Sequence, residues 1–562
     1  AEPDDVEALF HLGALLQRRM RLEEAAEVFG QALRRAPADA QLWVHLGDVG
    51  IARFTDGSLR DAARCFEKAL ALQPELSIAH FGLGRVHGLE GRHDQAVRCL
   101  AQAYRLEPDS VACLAELIGE MQRVCDWPRL EELFGRLRGA IGQADEPFDP
   151  FLLLSMPSTR REQLACARAY ARSISAQARG VVQSRARRGD ASRKKLRLGY
   201  LSAEFHAHAT AYLTAELFEL HDRRRFEVAA YSYGPDDGSA MRARLRRAFD
   251  RFVDLRALSD AEAADAIRAD GVDILLDLKG YTFRARPGIA ALRPAPVQVS
   301  YLGYPGTMGA EFIDYLVGDR VVTPVEHAGD YTEKLVLMPD CYQVNDRRRA
   351  VAATPSRGAL GLPEGFVFCC FNQSYKILPE VFSAWMRLLQ AVPGSVLWLL
   401  EWNPATADNL RREADAHGIP AERLAFAPQL PLAEHLGRLA AADLFLDTCP
   451  YNAHTTASDA LWAGLPVLTC SGETFASRVA GSLLHAVGLP ELVTHSLPEY
   501  EALALRLARA PAELAALRGK LQRSRETAAL FDTPRYVRNL EKAYEAMWAT
   551  HSAGGVPRPI EL

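Results

Sequence analysis

The feature that most constrains the fold is an imperfect repeat in the first 108 residues. The same order of apolar and small side chains occurs three times, and a proline closes each copy: Leu9, Leu12, Gly13, Ala25, Phe29, Ala32 and Pro37; Trp43, Leu46, Gly47, Ala62, Phe66, Ala69 and Pro74; and His80, Leu83, Gly84, Ala96, Leu100, Ala103 and Pro108. Such a repeat predicts stacked helix pairs, because one pair alone cannot bury its apolar face. The small residues mark close helix crossings, and proline ends each second helix.

The order and spacing of these residues match the tetratricopeptide pattern. The interval from glycine to proline is the same in the first and third copies but three residues longer in the second, from Gly47 to Pro74. We therefore predict an insertion near residues 54–58 and a longer turn between the helices of the second pair. Residues 111 to about 140 keep helical periodicity without the small residues, which predicts a degenerate capping repeat. The predicted α-solenoid covers residues 1–140.

Composition and charge exclude several broad classes of protein. The 562 residues include 66 Lys and Arg against 71 Asp and Glu, so the net charge of −5 does not favour nucleic acid as a partner. The longest apolar runs, such as residues 395–400, are far shorter than the ~20 residues that cross a bilayer. With no basic and apolar leader recognised at the start, we expect a cytoplasmic protein without a membrane partner. The ten cysteines are scattered and predict buried thiols rather than a zinc site or disulfide framework.

A linker is predicted between the solenoid and the rest of the chain. Residues 141–195 indicate a helical and basic segment, and residues 179–197 alone carry eight Lys and Arg. The plain interpretation is a solvated linker, and contact with an anionic surface or nucleic acid is the alternative.

Beyond residue 195, short buried strands alternate with helical stretches. Two series follow one another: residues 196–201, 227–231, 272–277 and 297–301, and then residues 366–371, 395–400, 424–426, 443–447 and 466–469. This alternation predicts parallel, doubly wound sheets. We therefore predict two Rossmann-like α/β halves, residues 196–350 and 351–562, with a cleft for a nucleotide-bearing donor and a second substrate.

Polar residues follow two predicted strands of the second half. Lys376 comes after the strand at residues 366–371 and could neutralise a pyrophosphate, although it could also be a surface lysine. The helix that begins at Thr455 has no acidic first turn. The N–H groups and hydroxyls of Thr455 and Thr456 therefore predict an anion site, unless these threonines are only N-caps.

Three more polar side chains of this half could hold the rest of a nucleotide. Asp459 lies one turn beyond Thr455, where its carboxylate could accept hydrogen bonds from ribose hydroxyls. His435 and Arg438 share one face of a predicted helix and could contact a base. Each of the three could instead be an ordinary surface charge.

The first half places two histidines after its first strand. His206 and His208 follow residues 196–201 and could be structural, catalytic or, less readily, metal ligands, since no third ligand lies nearby. The chain also has no D-x-D triplet of the kind that holds a divalent cation on a sugar nucleotide. We therefore predict no metal and no other cofactor.

The chain resembles the O-linked N-acetylglucosamine (O-GlcNAc) transferases, nucleocytoplasmic enzymes that join tetratricopeptide repeats to a GT-B glycosyltransferase. The resemblance covers nearly the whole chain, and the Ala- and Arg-rich composition suggests a bacterial source. The strings that carry it are Val124-Cys-Asp-Trp127, Gly280-Tyr-Thr282, Ala291-Leu-Arg-Pro-Ala-Pro296, Leu302-Gly-Tyr-Pro-Gly-Thr307, Phe371-Asn-Gln373, Tyr375-Lys376, His454-Thr-Thr456, Leu461-Trp-Ala-Gly464, Gly472-Glu-Thr474 and Ala476-Ser-Arg-Val-Ala480.

The resemblance implies a role for each residue around the diphosphate. Gln373 and Lys376 would contact the donor diphosphate, and Thr455 and Thr456 would bind it from the start of their helix. His454 would help to shape the phosphate loop.

The resemblance also implies how the rest of the donor is held. Asp459 would hold the ribose, His435 and Arg438 would lie near the uracil, and His208 matches a family histidine beside the donor. Leu432 departs from the pattern, because the animal enzymes carry a lysine there, and this could lower donor affinity.

The implied reaction is an inverting, metal-independent transfer of N-acetylglucosamine from UDP-GlcNAc to a Ser or Thr hydroxyl of a protein held along the repeat groove. His208 would be either a general base or an orienting group, and a nearby diphosphate favours the protonated, orienting form. Relatives with this architecture use GDP-fucose or UDP-glucose, so the sugar stays open. A different class is also possible, namely a tetratricopeptide scaffold whose GT-B part binds nucleotide with poor turnover.

Overall fold

The structure is a computed structural model that describes residues 5–142, 147–178 and 194–562. The basic residues predicted as a linker between positions 179 and 193 lie outside the described residues. The chain divides into two compact units: Ala1–Phe148 with Asn403–Asn409, and Asp149–Trp402 with Leu410–Leu562. In the part of the chain that the structure describes, no helix is both long and apolar enough to span a membrane.

The first unit is the predicted helical solenoid. Each helix packs against the next one along the chain, and the predicted capping repeat is a fourth helix pair. The helices are α1 Val6–Arg18, α2 Leu22–Arg35, α3 Ala40–Arg53, α4 Asp56–Leu72, α5 Ser77–Leu89, α6 His93–Leu106, α7 Val111–Arg123 and α8 Leu130–Ala140.

Glycine is required where the two helices of a pair cross. A Cβ atom on Gly13 would lie 2.7 Å from the ring of Phe29, and a Cβ atom on Gly47 would lie 2.7 Å from the ring of Phe66. Both rings are fully buried and cannot move aside without disturbing the core. The repeated glycines therefore set the distance between paired helices.

The longer second repeat differs from its prediction. The connection from α3 to α4 is not longer, since α3 ends at Arg53 and α4 begins at Asp56; instead α4 has 17 residues, whereas α2 and α6 have 14. Phe54 adopts a left-handed backbone that ends α3, and Thr55 forms a capping box with Ser58. The insertion is helical because this cap starts α4 early.

We expect Gly47→Ala to destabilise the solenoid by about 1–3 kcal/mol, since the new methyl group overpacks against Phe66. Gly30→Ala is the matched control: Gly30 lies inside α2, and its Cβ position meets only the end of the Arg34 side chain, at 4.0 Å. That change should stabilise the helix by about 0.5–1 kcal/mol. Hydrogen–deuterium exchange of α2 to α4 measures both effects, and equal protection in the two variants would contradict the close crossing.

The second unit contains two lobes, each built on a parallel sheet. The first lobe contains α9 Arg160–Ala178, β1 Leu196–Ser202, α10 Ala209–Leu220, β2 Phe226–Ser232, α11 Ala240–Ala248, β3 Arg251–Asp254, α12 Asp260–Ala269, β4 Ile274–Asp277, α13 Pro287–Ala291, β5 Val297–Ser300, β6 Tyr315–Asp319 and β7 Lys334–Met338.

The second lobe continues the alternation of strand and helix, with the residues of α15 up to Asn409 counted in the first unit, and the chain then ends with one more helix and strand. The elements are β8 Val367–Cys370, α14 Pro379–Ala391, β9 Val396–Leu400, α15 Pro404–Ala416, β10 Leu424–Ala427, α16 Leu432–Leu439, β11 Leu444–Leu446, α17 Thr455–Trp462, β12 Val467–Cys470, α18 Val479–Ala486, β13 Val493–Thr494, α19 Leu497–Arg509, α20 Pro511–Ser524, α21 Thr533–Ser552 and β14 Ile560–Glu561.

Strand order places a topological switch point in each sheet. The first sheet runs β14-β7-β6-β5-β4-β1-β2-β3 and the second runs β10-β9-β8-β11-β12-β13. The order reverses between β1 and β4 in the first sheet and between β8 and β11 in the second. Loops that follow these strands diverge and leave a crevice at the carboxyl edge, where α/β proteins bind ligands. The predicted doubly wound halves are confirmed, and β3, β6, β7, β13 and β14 were not predicted.

Two predicted domain boundaries differ from the structure. The predicted second half, residues 351–562, loses its last helix to the first lobe, because Tyr544 of α21 packs in the first core and β14 pairs with β7. An apolar face on α21 needs a sheet to cover it, and the first sheet provides one. In the predicted linker, residues 141–195, Ala167 and Ile174 of α9 are buried against Tyr281 of the first lobe.

Candidate functional site

The site of the second lobe is built on one buried carboxylate, that of Asp447 at the end of β11. Its Oδ1 accepts hydrogen bonds from the amides of Thr448 at 2.7 Å and Ala453 at 2.6 Å, and from Nδ2 of Asn372 at 3.2 Å. Its Oδ2 accepts from the hydroxyl of Thr469 at 2.6 Å. Asp447 therefore ties the loops that follow β8 and β11 to strand β12, and burial raises its pKa.

Lys376 is buried against the loop that Asp447 organises. Its ammonium donates to the carbonyl of Asn452 at 2.9 Å and lies 3.7 Å from the ring centre of Tyr451. Burial lowers the pKa of Lys376 to about 7, although the charge of Asp447 opposes this effect. The surface-lysine interpretation is thus excluded, since only 7% of Lys376 is exposed. Gln373, three residues earlier, is half-buried.

The start of α17 lies directly after this loop. Thr455 and Thr456 are its first two residues, and the first turn carries no acidic side chain. The Thr456 hydroxyl donates to Oδ1 of Asn372, while Nε2 of His454 lies 3.2 Å from the carbonyl of Ala476. Burial and the nearby Lys376 charge lower the pKa of His454 well below its usual value, so this imidazole is neutral. Free helix-end N–H groups beside an ammonium are suited to an anion.

His435 and Arg438 form one unit on α16. Arg438 is 1% exposed, stacks 4.7 Å from the ring centre of Phe371, and donates to Nδ1 of His435 at 2.8 Å. Burial and the Arg438 charge lower the pKa of His435 to about 4. Because the neutral ring accepts at Nδ1, its proton is on Nε2, which can donate to a carbonyl of a bound base.

Asp459 is less open to a ligand than its sequence position predicts. It is buried in α17, and its Oδ1 accepts from the guanidinium of Arg349 at 2.5 Å. Burial raises the pKa of Asp459 to about 6, which Arg349 partly offsets. Arg349 also donates to Asn345 at 3.1 Å, so this pair joins the two lobes. The surface-acid interpretation is excluded, and the ribose role remains a prediction.

The first lobe brings its candidate residues to the switch point after β1. Nδ1 of His208 lies 2.9 Å from the carboxylate of Glu204, which also contacts the ammonium of Lys279 after β4. His206 lies 3.6 Å from the same carboxylate. His208 is the N-cap of α10, and α10 packs against α17 of the second lobe. The histidine loop and the Thr455 loop thus precede two helices in contact.

Sequence reasoning missed the residues that hold the others in place. Asp447, Arg349, Glu204 and Lys279 are all buried. Arg349 contacts Asp459 and Glu204 contacts His208, whereas Lys279 holds Glu204 and Asp447 holds the loop that carries Asn452. The available signal was weak: an acidic residue at the end of a buried strand, as for Asp447, or directly after one. In residues 5–142, 147–178 and 194–562, no group of three or more His, Cys, Asp and Glu side chains is placed to hold a metal ion.

Comparison with known proteins agrees with this architecture. The description "Glycosyl transferase family 41" matches residues 180–357 and 349–540, and a tetratricopeptide repeat matches residues 78–110. A mutant O-GlcNAc transferase from Thermobaculum terrenum superposes with a TM-score of 0.71 at 31% identity, covering 98% of both chains. Two doubly wound lobes with ligand loops at their switch points define a glycosyltransferase of the GT-B fold. The chain belongs to glycosyl transferase family 41.

Its curated relatives are longer proteins. The probable UDP-N-acetylglucosamine–peptide N-acetylglucosaminyltransferase SEC of Arabidopsis thaliana is 39% identical over 79% of this chain and 48% of its own length. The UDP-N-acetylglucosamine–peptide N-acetylglucosaminyltransferase of Caenorhabditis elegans is 31% identical over 64% of this chain and 41% of its own. A probable enzyme of the same description from Petunia hybrida, SPINDLY, is 32% identical over 66% and 40%. The chain spans about half, or less, of each.

The lowered pKa of Lys376 predicts that UDP binding depends on pH. A bound diphosphate favours the charged ammonium, so binding takes up a proton above pH 7. Affinity should therefore fall as pH rises from 7 to 9, by up to about tenfold per unit. Calorimetry in buffers of different ionisation heat measures both affinity and proton uptake.

Two variants serve as comparison in this experiment. Lys376→Ala should bind UDP weakly and without the pH slope. Lys520→Ala removes the same charge from a half-exposed lysine on α20 that pairs with Glu491 at 2.7 Å, and should behave like the parent. A flat parental profile between pH 7 and 9 would show that Lys376 does not change protonation on binding.

Proposed function

We propose that this chain transfers N-acetylglucosamine from UDP-GlcNAc to Ser or Thr hydroxyls of proteins, with inversion and without a metal ion. The observation that carries the proposal is the anion site of the second lobe, in which the buried Lys376 ammonium lies beside the start of α17. The names of the curated relatives support the choice of donor and acceptor.

The proposed chemistry follows from this charge arrangement. The acceptor oxygen forms a bond to the anomeric carbon as the bond from that carbon to the diphosphate oxygen breaks, so negative charge develops on UDP. Lys376 and the N–H groups of Thr455 and Thr456 offset that charge in a buried site, where such groups act most strongly. Because the imidazole of His454 is neutral, it does not repel the ammonium of Lys376. His208, at the facing switch point, is proposed to act on the acceptor hydroxyl or to orient the donor.

The base and ribose of the donor would be held farther along the second lobe. His435 would donate from Nε2 to a carbonyl of uracil, with Arg438 fixing the ring, and Gln373 would contact the diphosphate. Asp459 would accept a hydrogen bond from a ribose hydroxyl at Oδ2, since Arg349 binds its Oδ1. Thermal-shift titration with UDP, GDP, UDP-GlcNAc, UDP-glucose and GDP-fucose tests the donor directly. A larger shift with GDP-fucose would replace the proposed sugar nucleotide.

We expect Lys376→Ala to weaken transfer by about 2–4 kcal/mol, the range for removing a preorganised charge-stabilising donor. Single-turnover release of UDP from UDP-GlcNAc measures the effect, with Lys520→Ala as the charge-matched control. Undiminished transfer by Lys376→Ala, together with an unchanged melting curve, would remove Lys376 from the proposed mechanism.

The solenoid is proposed to select the protein acceptor, because stacked helix pairs form an extended surface that a sugar nucleotide does not need. A chain that begins at residue 109 keeps α7 and α8 and should still bind UDP and hydrolyse UDP-GlcNAc. Its transfer to protein acceptors should be lost. A chain that begins at Asp39 removes one helix pair and should lose part of that activity. Protein transfer at the parental rate by both truncated chains would assign acceptor choice to the lobes.

A further inference from the structure

Glu204 is a buried carboxylate in contact with His208. It lies two residues beyond β1, where its amide donates to the hydroxyl of Ser202 at 2.9 Å. Lys279 lies two residues beyond β4, where its amide donates to Oδ1 of Asp277 at 2.9 Å. Because Leu201 and Asp277 are paired across β1 and β4, the two loops emerge side by side at the switch point. The ammonium of Lys279 reaches Oε1 of Glu204 there.

We propose that Glu204, its charge balanced by Lys279, is the positioning residue of His208: it accepts the proton on Nδ1 and leaves Nε2 as the nitrogen that meets the reacting groups. The proposal rests on the function proposed above and adds to it. It gives a role to the ion pair of Glu204 and Lys279, which the proposed donor site does not include.

Two contacts compete for Nδ1 of His208. It lies 2.9 Å from Oε2 of Glu204, to which it could donate, and 3.2 Å from the amide nitrogen of Thr210, which donates to it when it carries no proton. Burial would raise the pKa of Glu204, but hydrogen bonds and charges from His208 and Lys279 outweigh burial and lower that pKa to about 2. The ionised carboxylate can only accept, and a charge-assisted hydrogen bond is the stronger of the two. Nδ1 therefore carries the proton.

The consequence for His208 concerns its other nitrogen. A neutral ring with its proton on Nδ1 presents Nε2 without a proton, and such a nitrogen can accept but not donate. This state suits a general base: the proton of the acceptor hydroxyl passes to Nε2 as the hydroxyl oxygen bonds to the anomeric carbon and the bond from that carbon to the diphosphate oxygen breaks, releasing UDP. The arrangement thus favours the base role over the orienting role.

The ammonium of Lys279 offsets the negative charge of the buried Glu204 carboxylate. The side chains of Glu204 and Lys279 are 11% and 5% exposed, and a buried charge without a partner is strongly unfavourable. Lys279 binds Oε1 and leaves Oε2 to His208. His206 is farther from the carboxylate, at 3.6 Å, and is also near Asp237, at 3.8 Å, so it lacks the short contact that would fix its tautomer.

The test is Glu204→Gln, which keeps the shape of the side chain but lets its amide donate as well as accept. Turnover of UDP-GlcNAc should fall about 10- to 100-fold, the range typical of partners that orient a functional histidine. KM for UDP-GlcNAc and UDP affinity should stay within about twofold of the parent, since Glu204 is not proposed to touch the donor.

Glu227→Gln is the matched control. Glu227 lies on β2 and pairs at 2.9 Å with Arg197 of β1, so its loss breaks an ion pair between neighbouring strands of the same lobe, away from His208. This variant should turn over like the parent. Equal losses in Glu204→Gln and Glu227→Gln would reduce Glu204 to a structural role and overturn the proposal.

A double-mutant cycle asks whether Glu204 acts through His208. In a His208→Ala background, Glu204→Gln should change turnover less than about twofold, because there is no imidazole left to position. Losses that multiply would overturn the proposal, as would a change in KM alone.

A spectroscopic measurement keeps the proposal testable if turnover is lost for another reason. In protein labelled with ¹⁵N-histidine, the His208 signals, assigned by their loss in His208→Ala, should show a protonated Nδ1 in the parent and a changed pattern in Glu204→Gln. A parental protein that transfers no sugar yet shows this signature would refute the proposed function alone. A protonated Nε2 with a bare Nδ1 in the parent would refute the positioning role alone.

Discussion

The second lobe depends on the buried carboxylate of Asp447. Its four hydrogen bonds hold the loops after β8 and β11 against strand β12, and these two loops carry Lys376 and lead to the start of α17. A parallel sheet alone would only bring these loops to the same edge. The carboxylate fixes the conformation of these loops, because its oxygens accept hydrogen bonds from amides that would otherwise be buried without partners.

The two switch points use opposite electrostatic arrangements. In the second lobe, Lys376 is buried and its pKa is lowered. A bound anion would therefore stabilise the charged ammonium that burial disfavours. In the first lobe, the buried carboxylate of Glu204 contacts both the ammonium of Lys279 and Nδ1 of His208. Lys376 and His208 thus lie at separate switch points, and the helices α17 and α10 that follow their loops pack against each other.

Local sequence patterns predicted where helices and strands occur better than they predicted which elements pack against one another. The glycine positions of the solenoid were readable because each one faces a ring within its own helix pair, as Gly47 faces Phe66. The three-residue insertion was placed correctly but assigned to a turn, since the capping box of Thr55 and Ser58 that makes it helical was not recognised. The return of α21 to the first sheet was not readable, because an apolar helix face does not say which sheet covers it.

The sequence by itself determined the helical repeats, the two strand and helix series, and the residues Lys376, Thr455, Thr456 and His208 as candidates, because periodicity and position after a strand are local properties. Only the tertiary structure decided that Lys376 is buried and that Asp459 pairs with Arg349. It also decided that Nδ1 of His208 lies 2.9 Å from the carboxylate of Glu204. These facts depend on contacts between loops and lobes far apart in the chain, and burial and charge act through space rather than along the sequence.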